Sequence, residues 1–193
     1  MYVAIEGIDT AGKSTQIEAL RTLFTEALIT KEPGGTPAGV EIRNIVLHGN
    51  LKSKTAELLL FLADRAEHTE SVIVPNMNKL IISDRSAVSG MAYASVQNLC
   101  DESALVILNR LATGGTFPDI VFILKLTPQE LSHRSSQKEH DVIESRGIAY
   151  LLSIQDALIA SAYALGIQTV VIDATQSIDT ITSEITTCIK GAL

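Results

Sequence analysis

Short apolar runs alternate with longer amphipathic stretches along this chain. Tyr2-Val3-Ala4-Ile5, Leu28-Ile29-Thr30-Lys31, Leu80 to Arg85, Ile120 to Leu126 and Gln168 to Asp173 read as five strands, most of them apolar on both faces. Between them, apolar residues recur at helical spacing. Ile17, Leu20, Leu23, Phe24 and Ala27 mark a helix from Ser14 to about Leu28. Val40, Ile42, Ile45, Val46 and Leu47 mark a short one carrying Arg43. Thr55, with Glu57 close behind, is the expected cap of a helix running through Leu58–Arg65 towards Val74 and ending at Pro75. Its early part is apolar on most sides, which suits burial between the sheet and a second surface. Further helices are expected around Val88, Met91, Ala92 and Val96, from Asp101 to Ala112, after Pro128, up to about Leu165, and from Ile178 to Ile189. Strands alternating with helices predict an α/β fold with three layers, a five-stranded parallel sheet covered by helices on both faces. The 193 residues are expected to form one domain, 1–193.

One segment breaks the pattern. Thirteen of the fifteen residues from 132 to 146 are polar, so the segment cannot be core. It is expected to be solvated, and its place after the fourth strand suits a short lid. No apolar run approaches the ~20 residues of a membrane span. No basic leader precedes the first strand, so a secretory signal is not expected. Cys100 and Cys188 are far apart and match no metal-ligand spacing, as reduced cytoplasmic thiols would be. Fifteen Lys and Arg against 22 Asp and Glu give a net charge of −7, which argues against nucleic acid as the main partner. An acidic chain that binds anions must gather its positive charge locally.

That gathering is visible after the first strand. Gly7-Ile8-Asp9-Thr10-Ala11-Gly12-Lys13-Ser14-Thr15 has the spacing of a phosphate-binding P-loop, in the strand–loop–helix context the motif requires. Gly7 and Gly12 free the backbone to aim successive N–H groups at phosphate oxygens. The following helix adds the positive end of its dipole. Lys13 supplies a charge for the β- and γ-phosphates, and the Ser14 hydroxyl suits Mg²⁺. Three chemistries share this loop. A regulatory GTPase needs Asn-Lys-x-Asp, and Asn78-Lys79-Leu80-Ile81 lacks the Asp. A motor ATPase usually has Glu after the acid of a second buried strand, where this chain has Asp84-Arg85. An arginine beside the Mg²⁺-side carboxylate suits the grip of a second phosphate substrate, as in a small-molecule kinase.

Phe61 and Arg65 stand four residues apart on one helix and share a face. A ring beside a guanidinium can cradle a nucleobase. Equally, Phe61 can be core and Arg65 can pair with Asp64 or Glu57. Arg85 can be a surface ion pair and Tyr93 simple packing.

Four stretches together resemble bacterial thymidylate kinases along nearly the whole chain. They are Ile5–Asp9 before Gly12–Thr15, Lys31–Thr36, Leu60–His68, and Ile82–Arg85 followed by Ser89 and Ala92-Tyr93. The resemblance implies transfer of a phosphoryl group from ATP to dTMP with Mg²⁺, on a P-loop fold, in a cytoplasmic homodimer. It implies that Asp9 faces the sugar 3′-hydroxyl and acceptor phosphate, and that Arg43 and Arg85 hold that phosphate. Phe61 stacks on thymine, Arg65 donates to its exocyclic oxygen, and Tyr93 packs beside the deoxyribose. Asp84 lies near Mg²⁺, through water, and Glu144 in the lid approaches the metal or makes lid contacts. A different nucleoside monophosphate substrate, or a nucleotide-binding switch without turnover, are the alternatives. Thr10 stands where animal and yeast-type members carry a P-loop arginine, so the catalytic arginine is expected from the lid. Arg134 is the first choice and Arg146 the second, with Lys138 between them. Gly90 and Ala94 replace polar residues frequent in relatives, which leaves base selectivity more to Phe61 and Arg65. Asp173-Ala174-Thr175 falls where the family's adenine-side loop lies, and a plain helix cap is the equal alternative.

Overall fold

The structure, a computed structural model, describes residues 1–135 and 147–193. Most of the expected lid, with Lys138, Glu144 and Arg146, lies outside the described residues. Five parallel strands, β1 (Tyr2–Gly7), β2 (Leu28–Lys31), β3 (Ile81–Asp84), β4 (Ile120–Lys125) and β5 (Gln168–Asp173), form one sheet in the order β2-β3-β1-β4-β5. The helices among the described residues are α1 (Lys13–Leu23), α2 (Pro37–His48), α3 (Lys54–His68), α4 (Ala87–Val96), α5 (Glu102–Thr113), α6 (Pro128–Ser135), α7 (Ile148–Ala164) and α8 (Ile178–Ala192). The three-layer α/β/α arrangement follows from the sequence pattern. β1 is buried throughout and Ile120–Leu124 of β4 likewise, as a central parallel strand requires. α1 packs with α8, while α4 packs with α7 and α5.

The sheet order places the chemistry. From β1 the chain crosses to β2 at the sheet edge, steps back inward to β3, then passes to the other side of β1 for β4 and β5. β1 is therefore the topological switch point, where a crevice opens at the carboxyl ends of the strands. The register sets Ile5 beside Asp84 and Gly7 beside Leu124, so the loops after β1, β3 and β4 leave the sheet side by side.

The structure moves several element ends. Ser53, not Thr55, caps α3: its side chain accepts from the Ala56 N–H at 3.2 Å, and Thr55 lies inside the helix. α1 stops at Leu23 rather than near Leu28, because Leu28 is already held by its N–H to Leu80 O at 2.8 Å and starts β2. Phe24 and Ala27 still pack on the core, from the turn. A π-helical turn (Thr69–Ile73) and a short 3-10 turn (Val74–Asn76) extend the course of α3 to the expected Pro75. Arg85 lies beyond β3 with φ 70°, which turns it away from the strand line. Leu58 and Leu62 of α3 face the core, whereas Leu59 is exposed.

Candidate active site

The P-loop wraps from β1 into α1. Gly7 and Gly12 take φ of 153° and 96°, and Thr10 between them takes 69°. A Cβ on Gly7 would stand 3.1 Å from both Ala11 Cβ and Leu124 O, so the loop closes only over a bare backbone. Gly12 caps α1 without a side chain, which leaves the first N–H groups of that helix directed at the loop. Lys13 is buried; its Nζ donates to Ile8 O at 3.0 Å and lies 3.6 Å from Asp9 Oδ1. Burial, aided by the Arg85 charge and opposed by Asp9, pulls the Lys13 pKa down to about 8. Ser14 and Thr15 are exposed at the start of α1. Ser14 shares a cavity with Asp84, whose Oδ1 is buried without a hydrogen-bond partner among the described residues. No cluster of three or more His, Cys, Asp or Glu that could hold a metal occurs among the described residues. A hydroxyl and an orphaned carboxylate oxygen in one cavity fit Mg²⁺, which keeps water and phosphate as most of its ligands.

Next to the loop lies a second cavity of about 270 Å³. Asp9, Arg43, Phe61, Arg65, Arg85 and Tyr93 all line it, so the structure brings together all six residues expected on the acceptor side. The positive φ of Arg85 swings its guanidinium towards the P-loop. Its Nη2 donates to Asp9 Oδ1 at 2.7 Å, and its Nη1 to Ser89 Oγ at 3.0 Å and Gly7 O at 3.3 Å. Its Cζ is 6.0 Å from the Tyr93 ring centre. Burial lowers the Arg85 pKa, but Tyr93, Asp9, Glu6 and Asp84 together raise it above its ordinary value, so the guanidinium is firmly charged. Burial pushes the Tyr93 phenol up to about 12, against the pull of Arg85, which keeps it neutral. Arg43, half-buried on α2, donates from Nη1 to Pro33 O at 3.0 Å.

Arg65 pairs with neither Asp64 nor Glu57, the two partners open to it in sequence. Its Nε donates to Glu32 Oε2 at 2.9 Å, Nη1 to Asn109 Oδ1 at 3.0 Å and Nη2 to Ser86 O at 3.3 Å. The helical turn that carries Arg65 points it inward under α4, where Glu32 arrives from the loop after β2. Asp64 instead accepts from the Gly34 N–H at 2.9 Å, and Glu57 pairs with Lys54 at 2.6 Å. The His68 ring bridges Glu32 Oε1 at 3.0 Å and Thr30 Oγ1 at 2.6 Å. Burial raises the Glu32 carboxyl, but Arg65 and His68 lower it more, so it ends below its ordinary value of 4.5.

Glu6, at the end of β1, is a further buried carboxylate. It accepts from Ser86 Oγ at 2.8 Å, from the Ser89 N–H at 3.3 Å and from Ser89 Oγ. Burial lifts its pKa despite Arg85 and the two serines. Ser89 thus links Glu6 to Arg85. Arg134, on α6, reaches the P-loop: its Nη1 donates to Thr10 O at 3.2 Å, Nη2 to Ala174 O at 2.9 Å and Nε to Glu130 at 2.7 Å. Asp173 does not cap α8, as one alternative had it. It closes its own turn with Thr175, at 2.9 and 2.7 Å, while Ser177 caps the helix.

Sequence reasoning assigned no role to Glu6, Glu32, His68 or Asn109. Glu6, Glu32 and His68 stood inside the family-like stretches. Asn109 had one signal, a polar residue in the stripe of α5 that carries buried Leu105 and Thr113.

A P-loop at the switch point of a parallel α/β sheet, beside a separate cavity lined by arginines and an aromatic ring, defines a phosphotransferase of the nucleoside monophosphate kinase type. Comparison with known proteins narrows this. The thymidylate kinase family model matches residues 5–185. A thymidylate kinase from Sulfurimonas denitrificans is 64% identical over 185 residues, 96% of this chain and 97% of that one. One from Wolinella succinogenes is 55% identical over 177 residues, 92% of each chain. The crystal structure of thymidylate kinase from Ehrlichia chaffeensis superposes with a TM-score of 0.75 at 27% identity, covering 98% of both chains. The chain belongs to the thymidylate kinase family.

The Glu32–Arg65 pair yields a stability prediction. Glu32→Gln leaves a buried guanidinium uncompensated and should cost about 3 kcal/mol at pH 7 in urea denaturation. The folded pKa of Glu32 is depressed, so its contribution is present above 4.5 and lost as pH falls through the folded value. The variant's stability should therefore vary less with pH in that acidic range than the parent's.

Proposed function

We propose that this protein transfers the γ-phosphoryl group of ATP to dTMP, giving ADP and dTDP. One observation carries the reading: a single cavity against the P-loop gathers Asp9, Arg43, Phe61, Arg65, Arg85 and Tyr93. In it, Arg43 and Arg85 grip the acceptor phosphate from two sides, and Asp9 orients Arg85 and faces the sugar 3′-hydroxyl. Phe61 stacks on thymine, Arg65 donates to a ring carbonyl, and Tyr93 packs beside the deoxyribose. Gly7, Ile8, Asp9, Thr10, Ala11, Gly12, Lys13, Ser14 and Thr15 hold the ATP phosphates.

Phosphoryl transfer is mostly alignment and charge neutralisation. The attacking oxygen of dTMP is already anionic, so no strong general base is required. Lys13, with its pKa pulled down only to about 8, stays charged at neutral pH and stabilises charge on the equatorial oxygens. Ser14 and Asp84 would hold Mg²⁺, which supplies Lewis-acid neutralisation of the phosphates. Arg134 stands at the P-loop backbone and supplies the cation that Thr10 does not, acting with Lys13, Asp9 and Arg85 as the catalytic set.

The assembly fits a homodimer. Ile107 and Leu111 of α5 are 65% and 79% exposed, beside exposed Leu59 on neighbouring α3. Val74, 48% exposed, and Ala63 join Leu111 around a groove on the same side. These exposed apolar residues on α3 and α5, with Glu67 and Glu70 also lining the groove, suit a second copy of the chain. No helix among the described residues is long and apolar enough to cross a membrane, and we place the enzyme in the cytoplasm without a nucleic-acid partner.

ADP release from ATP should be fast with dTMP and at least tenfold slower with dUMP, dCMP, dGMP and dAMP in turn. Turnover confined to another monophosphate would sink the substrate assignment, and binding without turnover the enzyme itself. Arg134→Ala should lower kcat about a hundredfold with KM values nearly unchanged, as expected for a transition-state charge contact; a change in ATP KM alone would assign it to binding. Leu111→Asp should convert the dimer to monomer in light scattering; a mass already monomeric in the parent would exclude the interface.

A further inference from the structure

Gly90 lies inside α4, where a glycine weakens the helix relative to alanine. The reason for it stands across the cavity. A Cβ at Gly90 would fall 2.7 Å from Arg65 Nη2, 2.9 Å from Nη1 and 3.2 Å from Cζ. The guanidinium therefore lies flat against the bare backbone of α4. It cannot step aside cheaply, because its three nitrogens are each tied: Nε to Glu32, Nη1 to Asn109 and Nη2 to Ser86 O. Both Glu32 and Asn109 are themselves fixed. Glu32 is held by His68, and Asn109 by Nδ2–H donation to Leu105 O at 2.8 Å.

An arginine has five N–H donors. Three are engaged by the described residues, which leaves one on each terminal nitrogen for a ligand in the cavity that Arg65 and Gly90 both line. The geometry points to Gly90, Asn109 and Glu32 as the positioning set of Arg65: Gly90 is the slot that admits the guanidinium, and the two side chains fix its rotation, so position 90 controls recognition of the base through Arg65 without touching the base itself. A long, flexible arginine otherwise loses much rotamer freedom when it binds. Here that ordering is complete before the nucleotide arrives. This inference rests on the assignment of Arg65 to the base.

Helix propensity and the slot make opposite predictions for Gly90→Ala. If the glycine were only tolerated, alanine would stabilise α4 and leave kinetics alone. If it is the slot, the methyl group displaces Arg65. Gly90→Ala should then raise the dTMP KM about tenfold, the loss of one buried hydrogen bond, with ATP KM within about twofold and a native-like melting curve. Asn109→Leu, which removes an acceptor at similar volume, should move dTMP KM in the same direction. Neither variant should add to Arg65→Ala in a double-mutant cycle. An unchanged dTMP KM in Gly90→Ala, or effects that persist undiminished in the Arg65→Ala background, would overturn the positioning role. If Arg65→Ala alone raises the KM of dTMP and ATP equally, the base assignment of Arg65 has failed, and the inference fails with it.

Discussion

The site depends on burying several cations in one crevice of an acidic protein. Lys13 and Arg65 are 7% and 3% exposed, and a buried charge without a partner costs several kcal/mol. These two cations and Arg85 are therefore each tied to a carboxylate, with carbonyl or hydroxyl oxygens beside it: Lys13 to Asp9 and Ile8 O, Arg85 to Asp9 and Ser89 Oγ, Arg65 to Glu32. Glu6 reaches Arg85 through Ser89. The carboxylates are what allow so many cations to be held close together before any phosphate is present. They also lower the net charge of the crevice, so an incoming anion competes with Asp9 rather than meeting bare charge.

The fold supplies the places for these pairs. β1 ends at the switch point, so Glu6 and Asp9 lie within reach of the turn after β3, where Arg85 stands. α4, capped by Ser86, presents Ser89, Gly90 and Tyr93 along one side of the cavity, while α3 supplies Phe61 and Arg65 from the other. The loop after β2 carries Glu32 between them. Moving any one of these elements by a turn would separate a cation from its counter-ion, so the sheet register and the electrostatics specify the same arrangement.

Most of the fold was legible because the central strands are largely apolar runs and the helices are periodic. The misjudged ends, Leu23 and Ser53, are places where a local cap or a strand contact outcompetes periodicity. Within the site, the glycines and Lys13 were legible from the loop motif, whereas Phe61, Arg65 and Arg85, which the structure brings to one cavity, were open on spacing alone and were singled out by the family resemblance. Their partners were not. Glu32 lies 33 residues from Arg65 and Asn109 lies 44 away, and no spacing rule links them. Their pairing exists only once α3, α4, α5 and the β2 loop are packed. For the same reason the sequence offered Asp64 and Glu57 to Arg65: both are local, and both have nearer partners in the fold.

The two halves of the acceptor cavity differ in how firmly they are held. Arg65 is bound on three nitrogens by groups that are themselves hydrogen-bonded, and it sits against the backbone of α4. Arg43 is half-buried and held by one carbonyl, on a helix whose apolar residues Val40, Ile45 and Leu47 remain exposed. A rigid base pocket discriminates best, because an ill-fitting base leaves oriented donors unsatisfied and cannot recruit a rearrangement to relieve them. A phosphate grip gains from mobility instead, since it must admit the acceptor and then close on it to exclude water. On the proposed roles, this distribution of hydrogen bonds divides the labour along the cavity: selection at the α3–α4 end and closure at the α2 end, with the Arg85–Asp9 pair between them.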